Sequence, residues 1–367
     1  MKKKANPQNY HDYLELDSLL KSQNLLSEKN DVEAHDEMLF IITHQVYELW
    51  FKQILYEIDS IFEVFDRNII DESHVGMAVS RLGRVNVIQQ LLIDQIKILE
   101  TMTPMDFLDF RDLLTPASGF QSAQFRLIEN KIGLQKDNRL GFGGVDYKTK
   151  INEHQLEDVK KSENSQSLFD LIEHWLERTP FLEFDDFNFW EQYRNAVGEM
   201  ISNDKKIIEM NENLPDGEKQ NYLKQYRSTE KMFSSLFDES IFSKRLKSGE
   251  SRLSYKATHA ALLILLYRDQ PILHNPYRLL SKLIDLDELL TTWRYKHHLL
   301  VTRMIGRKIG TGGSVGASYL KKATGKHRVF DDLTSLTTFL IPRSELPSLP
   351  NYIIRNLSFY YDSKEKR

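Results

Sequence analysis

Two histidines stand where apolar side chains would be expected. His44 falls in the run Phe40–His44–Tyr47–Phe51, and His297 in Leu286–Leu290–Trp293–His297–Leu300–Met304. Steps of three and four keep each set on one helix face, so both imidazoles point where the core-facing residues point. His298 lies about 100° further round the helix, in a stripe with Thr291, Tyr295 and Thr302, so periodicity selects His297 of the pair. Taken singly, either residue reads as a core histidine with its polar atoms satisfied. Together, in a chain without cysteine, they outline an apolar pocket offering one axial imidazole, which is what haem requires. Zinc fits less well, because no H-x-x-x-H or H-E-x-x-H pair accompanies them.

Arg111 is the third candidate. It follows Phe107 by four residues in FLDFRDLLTPASGF. A guanidinium one turn from an aromatic ring can grip a carboxylate in two places while the ring packs against an apolar group. An ion pair with Asp109 or Asp112 is its plainer role. Tyr10, Tyr13 and Leu14 lie at helical spacing, which by itself indicates packing. The stretch GTGGSVGASYL from Gly310 resembles a phosphate cradle and fails as one. A P-loop needs Lys where Ala317 stands, the dinucleotide fingerprint needs Gly where Val315 stands, and both need a preceding strand. These glycines instead allow backbone to approach something closely.

The elements that must position these residues are helices. Apolar side chains recur with helical period from Phe40 to Phe65 and from Val79 to Leu99. Further helices are expected at Phe125–Ile132, Leu168–Leu176, Phe189–Met210, Tyr222–Phe237 and Lys256–Tyr267. Two more are expected at Tyr277–Asp285 and Glu288–Ile309, separated by a short break. Prolines 104, 116, 180, 215, 271 and 276 fall between these segments. With no convincing β-hairpin, the expected fold is all-α: a helical bundle enclosing the pocket. Residues 1–30 read as an N-terminal arm, 31–345 as the helical domain and 346–367 as a C-terminal tail. Within the domain, 141–166 read as an irregular loop and 203–231 as an exposed, charged helical insert.

The 367 residues carry a net charge of -4, and the Lys2–Lys4 run is short and terminal, so no nucleic-acid partner is expected. The absence of cysteine excludes disulfides, thiolate-ligated metals and thiolate-ligated haem. The longest apolar run, AALLILLY from Ala260, is far short of the ~20 residues a bilayer demands. MKKKANPQNYHDYLELD has no apolar core of a signal peptide, so a cytoplasmic protein without a membrane partner is expected.

Five blocks resemble the tryptophan 2,3-dioxygenase family, in its order and with similar spacing. They are HDEMLFIITHQVYELWFKQ from His35, FRDLLTPASGFQSAQFRLIENKIG from Phe110, WLERTP from Trp175, WRYKH from Trp293 and GTGGSVG from Gly310. The resemblance runs from about Tyr10 to Arg343. It implies a homotetrameric enzyme with haem b, which inserts both atoms of O2 across the indole C2–C3 bond of L-tryptophan to give N-formylkynurenine. Position by position, it makes His297 the proximal iron ligand and His44 the distal residue that meets the indole N–H. Phe40 and Phe107 wall the indole, Arg111 clamps the carboxylate, and Thr311 meets the ammonium and carboxylate end. Trp293, Ser118 and Gly119 are expected beside the haem. Tyr10, Tyr13 and Leu14 match a segment reaching into a neighbouring subunit's pocket. The family usually has GTGGSSG, and Val315 replaces the second Ser, which bears on closure of this loop over substrate. A haem dioxygenase for another or substituted indole, and a non-catalytic haem sensor, are the alternatives.

Overall fold

Long apolar stripes become long helices. The structure, a computed structural model, describes residues 8–67, 69–136, 139, 147–179, 188–306, 308, 310, 311, 320 and 326–358, and every regular element among them is helical. Short helices α1 (Tyr10–Tyr13), α2 (Leu16–Leu20) and α3 (Leu26–Lys29) lead into α4 (Asp36–Phe65), α5 (Glu72–Leu99) and α6 (Pro104–Arg111). Next come α7 (Ala123–Ile132), α8 (Glu153–Glu163), α9 (Leu168–Glu177), α10 (Phe189–Met210) and α11 (Asp216–Phe237). The chain continues through α12 (Glu239–Ser248), α13 (Tyr255–Leu266), α14 (His274–Ile305), α15 (Asp331–Ser335) and α16 (Asn351–Asn356).

α5 is the spine. It packs against both α4 and α14, with Val79, Leu82, Val85, Leu92 and Ile96 buried between them. Polar side chains fix the register of these contacts. Tyr47 Oη donates to the Leu92 carbonyl (2.7 Å), Gln95 Nε2 to that of Thr43 (3.1 Å) and Asn86 Nδ2 to that of Lys282 (3.0 Å). Helix starts carry their own signals. Asp71, Thr103 and Ser167 each accept from the backbone N–H three residues on, in reciprocal capping boxes, and Pro104 opens α6.

Three sequence expectations are corrected. No break separates Tyr277–Asp285 from Glu288–Ile309: α14 runs unbroken from His274 to Ile305, because no Gly or Pro interrupts it after Pro276. It stops at Gly306, whose φ of 58° a residue with a side chain rarely adopts. Nor are residues 141–166 an irregular loop throughout. Asn152 caps α8, and Val159 buries completely beneath its charged face; residues 141–146 lie outside the described residues. The segment 346–367 is no free tail as far as 358. Ile353 and Leu357 enter the core, and the Ile272 N–H donates to the Leu357 carbonyl at 3.1 Å. The charged stretch 203–231 forms the end of α10 and most of α11, joined by a turn around Pro215. In the WLERTP block, the described residues pack: Trp175 meets Phe65 edge-on at 5.9 Å and Glu177 accepts from Ser254 Oγ at 2.6 Å.

Gly133 ends α7 with φ 109°, and a Cβ there would lie 2.8 Å from both Ser167 Oγ and Phe169 Cβ. Gly133→Ala is expected to destabilise the fold by about 2–4 kcal/mol, from backbone strain plus overpacking. Urea denaturation measures this, and an unchanged midpoint would show that the α7–α9 junction relaxes freely.

Candidate functional site

α4, α6, α7 and α14 enclose a cavity of about 260 Å³. Phe40, His44, Tyr47 and Phe51 line it from α4, Phe107 and Arg111 from α6, and Ser118 and Gly119 from the following turn. Trp293, His297, Leu300 and Met304 line it from α14, and Thr311 from the segment beyond. The structure therefore gathers into one space His44, Phe40, Phe107, Arg111, Thr311, His297, Trp293, Ser118 and Gly119. It does not bring Tyr10, Tyr13 and Leu14 to this cavity. They stand 75%, 72% and 40% exposed on and after α1. Residues 312–316 of the glycine stretch, Val315 among them, lie outside the described residues.

His297 is on the cavity wall and its neighbour His298 is not. The ring stacks on Trp293 with centroids 5.2 Å apart and planes 22° from parallel. Burial pushes its pKa from 6.5 down to about 4, and the nearness of His44 and His298 pushes in the same direction. Its imidazole is therefore neutral at pH 7, with a lone pair available. His44 is also shifted down by burial, against a hydrogen bond with Phe40 and the charge of Glu48. Its Nδ1 lies 2.7 Å from the Phe40 carbonyl oxygen. A carbonyl accepts only, so Nδ1 carries the proton and Nε2 is left as an acceptor.

An aromatic cluster begins at His44. Phe40 is 4.1 Å from it between centroids, and Phe107 and Phe110 are 5.8 and 5.6 Å from Phe40. Arg111 pairs with Asp112 at 3.0 Å while lining the cavity. Asp112 is almost fully exposed, so this ion pair is weak. Thr311 Oγ1 donates to the Ala117 carbonyl at 2.7 Å, which ties the start of the glycine stretch to the Pro116–Gly119 turn.

The sequence reading missed the charged end of the cavity. Arg126, Glu129, Arg294 and His327 also line it. Glu129 accepts from Arg126 Nη1 (2.7 Å) and Arg294 Nη2 (3.0 Å). Although burial opposes ionisation, these guanidiniums and His327 hold its carboxyl well below the usual range. For α7 a signal was present: Arg126 and Glu129 sit three apart beside the apolar Phe125, Ile128 and Ile132. His327 gave none, lying between Lys326 and Arg328 like a surface residue.

These residues fit a b-type haem. His297 offers a neutral imidazole, Phe51, Phe125, Leu300 and Met304 offer apolar walls, and the charged end offers cations toward porphyrin carboxylates. Among the described residues, no three imidazole or carboxylate groups converge as a chelating set for a bare metal ion.

The family model for tryptophan 2,3-dioxygenase matches residues 1–340. The chain belongs to the tryptophan 2,3-dioxygenase family. It is 51% identical over 358 residues to the tryptophan 2,3-dioxygenase of Bdellovibrio bacteriovorus, covering 98% of this chain and 100% of that one. To the tryptophan 2,3-dioxygenase of Dictyostelium discoideum it is 47% identical over 351 residues, covering 95% and 88%. To that of Xenopus tropicalis it is 45% identical over 343 residues, covering 93% and 84%. In this member of the tryptophan 2,3-dioxygenase family, the two histidines first picked out by periodicity share one cavity.

The buried histidines make the fold sensitive to acid. His297 and His259 titrate at about 4 in the fold and near 6.5 when unfolded. Between those values the unfolded chain binds more protons, so stability falls as pH drops through that window. The thermal midpoint of the haem-free protein is expected to decline from pH 7 to pH 5, less steeply in His297→Leu. A flat or rising midpoint in the parent protein would contradict the neutral, buried state of these rings.

Proposed function

We propose that this chain is a tryptophan 2,3-dioxygenase that uses haem b carried on His297 and converts L-tryptophan and O2 to N-formylkynurenine. The observation that carries the reading is that His44, Arg111 and His297, distant in sequence, line one cavity in a chain whose family match spans residues 1–340. Bound haem would supply the activation of O2. The chain supplies binding and orientation. Phe40 and Phe107 wall the indole plane, and His44 Nε2, left as an acceptor by the Phe40 carbonyl, takes the indole N–H. Arg111 takes the carboxylate in bidentate fashion, and the Thr311 hydroxyl meets the ammonium and carboxylate end. Ser118, Gly119 and Trp293 pack beside the cofactor. Held at both its ring and its amino-acid end, the substrate has few orientations left, which is where positioning lowers a barrier.

A homotetramer with arm exchange is part of the same proposal. Tyr10, Tyr13 and Leu14 are exposed, and α4 and α5 leave Leu49, Tyr56, Val87 and Leu91 exposed as well, which favours assembly. A cytoplasmic location accords with the cysteine-free composition. No helix among the described residues is long and apolar enough to cross a membrane.

Reconstitution with haem is expected to give a Soret band that His297→Ala shifts or abolishes; a spectrum indifferent to that change refutes proximal ligation. Mass spectrometry is expected to find N-formylkynurenine from L-tryptophan, and a panel of indoles separates this from action on a substituted indole. Arg111→Ala is expected to weaken L-tryptophan binding by about 1.5–3 kcal/mol, the scale of a charge-assisted hydrogen bond, and indole binding hardly at all. Equal losses for the two ligands would sink the clamp.

A further inference from the structure

The cavity has two polar ends, and the proposed chemistry uses one of them. Phe40 and Phe51 stand about 16 Å apart along α4. Phe107 and, one turn further on, Arg111 belong to the Phe40 end. At the Phe51 end lie Phe125 and Trp293, with ring centroids 5.5 and 6.4 Å from that of Phe51. Arg126, its guanidinium carbon 5.7 Å from the centre of the Phe125 ring, and Arg294, next to Trp293, bring positive charge there. Glu129 is shared between them. The carboxylate of Glu48, also on the wall, is hydrogen-bonded by Gln124 Nε2 at 2.8 Å.

His327 completes this end. It is 2% exposed and lines the cavity. Its Nδ1 is 3.6 Å from Glu129 Oε1, while its Nε2 has no hydrogen-bond partner among the described residues. The backbone that carries the ring is also held. Its own carbonyl accepts from Arg294 Nη1 at 3.0 Å, and the Val329 N–H two residues on donates to Asp287 at 2.9 Å. A buried polar atom fixed in place with nothing to bond is costly unless a ligand completes it.

We infer that His327 Nε2 binds one carboxylate of a dicarboxylic porphyrin seated at the Phe51 end, beside Arg126 and Arg294. The inference rests on the haem reading and extends it to a residue of this chain. Proton balance follows from the surroundings. Burial keeps the ring neutral, Glu129 opposes this, and Arg294 and Arg126 reinforce it; Arg328, on the same segment, turns to Asp287 and Asp331. In the neutral ring the proton sits on Nδ1, facing Glu129, so Nε2 is bare. An ionised carboxylate can bond there only if one proton is taken from solvent and held between Nε2 and a carboxylate oxygen. No other bond forms or breaks.

The test compares haem with haem dimethyl ester on the full chain, by Soret titration and by calorimetry at pH 8 in buffers of different protonation enthalpy. The parent protein is expected to prefer the free acid, and to take up close to one more proton with it than with the ester. His327→Asn, whose amide reaches toward Glu129 but not into the cavity, is expected to lower the acid-over-ester preference about tenfold. His327→Gln, whose amide sits near the Nε2 position, is expected to keep most of it. The same preference in all three proteins, or no difference in proton uptake in the parent, overturns the inference. The calorimetry decides it even if His327→Asn does not fold. A parent protein with no Soret band, or one that His297→Ala leaves unchanged, overturns the haem reading itself, an outcome distinct from haem that binds without regard to its carboxylates.

Discussion

The Glu129 carboxylate is the knot of this structure. It lies on α7, receives Arg126 from its own helix and Arg294 from α14, and faces His327 from the segment that leads into α15. Each of these groups is nearly stripped of water, so each would be costly alone, and the arrangement holds only because all are present together. What it provides is placement. Arg294 precedes His297 by three residues on the same helix, so the position of the buried carboxylate fixes the turn of α14 that carries the imidazole. A cavity inside a helical body tends to collapse, since apolar side chains gain by filling it. A charged cluster that cannot be desolvated further resists that collapse at one end.

At the other end the restraint is of a different kind. Phe40, Phe107 and Phe110 contact one another beside His44, and the polar bond from His44 to the Phe40 carbonyl is local to one turn of α4. Aromatic edges can shift by small amounts with little loss, whereas a charge network cannot. The cavity is thus held by buried charge pairs at one end and by ring packing at the other. α5 makes the division possible by tying α4 to α14 along its length, so that both ends hang on one frame.

The inward direction of His44 and His297 was legible from a count of threes and fours, because both lie on long helices with uninterrupted apolar stripes. The break placed before Glu288 was not real. No Gly or Pro stands there to stop the helix, and Asp287, buried at its middle, is satisfied by the Val329 N–H from outside the helix. α8 escaped notice because its apolar contribution is small: Val159 buries, while nearly everything around it is charged. The charged end of the cavity was hidden for a deeper reason. Periodicity finds apolar faces, and a buried Arg or Glu reads as a surface residue until a partner from another helix is seen beside it. His327 is the extreme case, flanked by two basic residues and placed by contacts to Glu129 and Arg294 far away in the chain. The family resemblance assigned roles to residues within its blocks; it did not say which neighbours hold them.

The two cavity histidines are neutral for a shared reason. Burial disfavours charge on either ring, and a proton on His44 would make one on His297 costlier still. The cavity therefore favours two bare imidazole nitrogens over any protonated pair at neutral pH. For His297 a bare nitrogen is a lone pair able to coordinate a metal. For His44 the Phe40 carbonyl decides which nitrogen is bare, and a bare Nε2 can accept a hydrogen bond but cannot donate one. A ring that accepts suits an indole N–H and suits poorly any group at that point that can only accept in turn. The hydrogen-bonding character of His44 thus begins with a backbone carbonyl four residues upstream, whose own side chain forms part of the cavity wall.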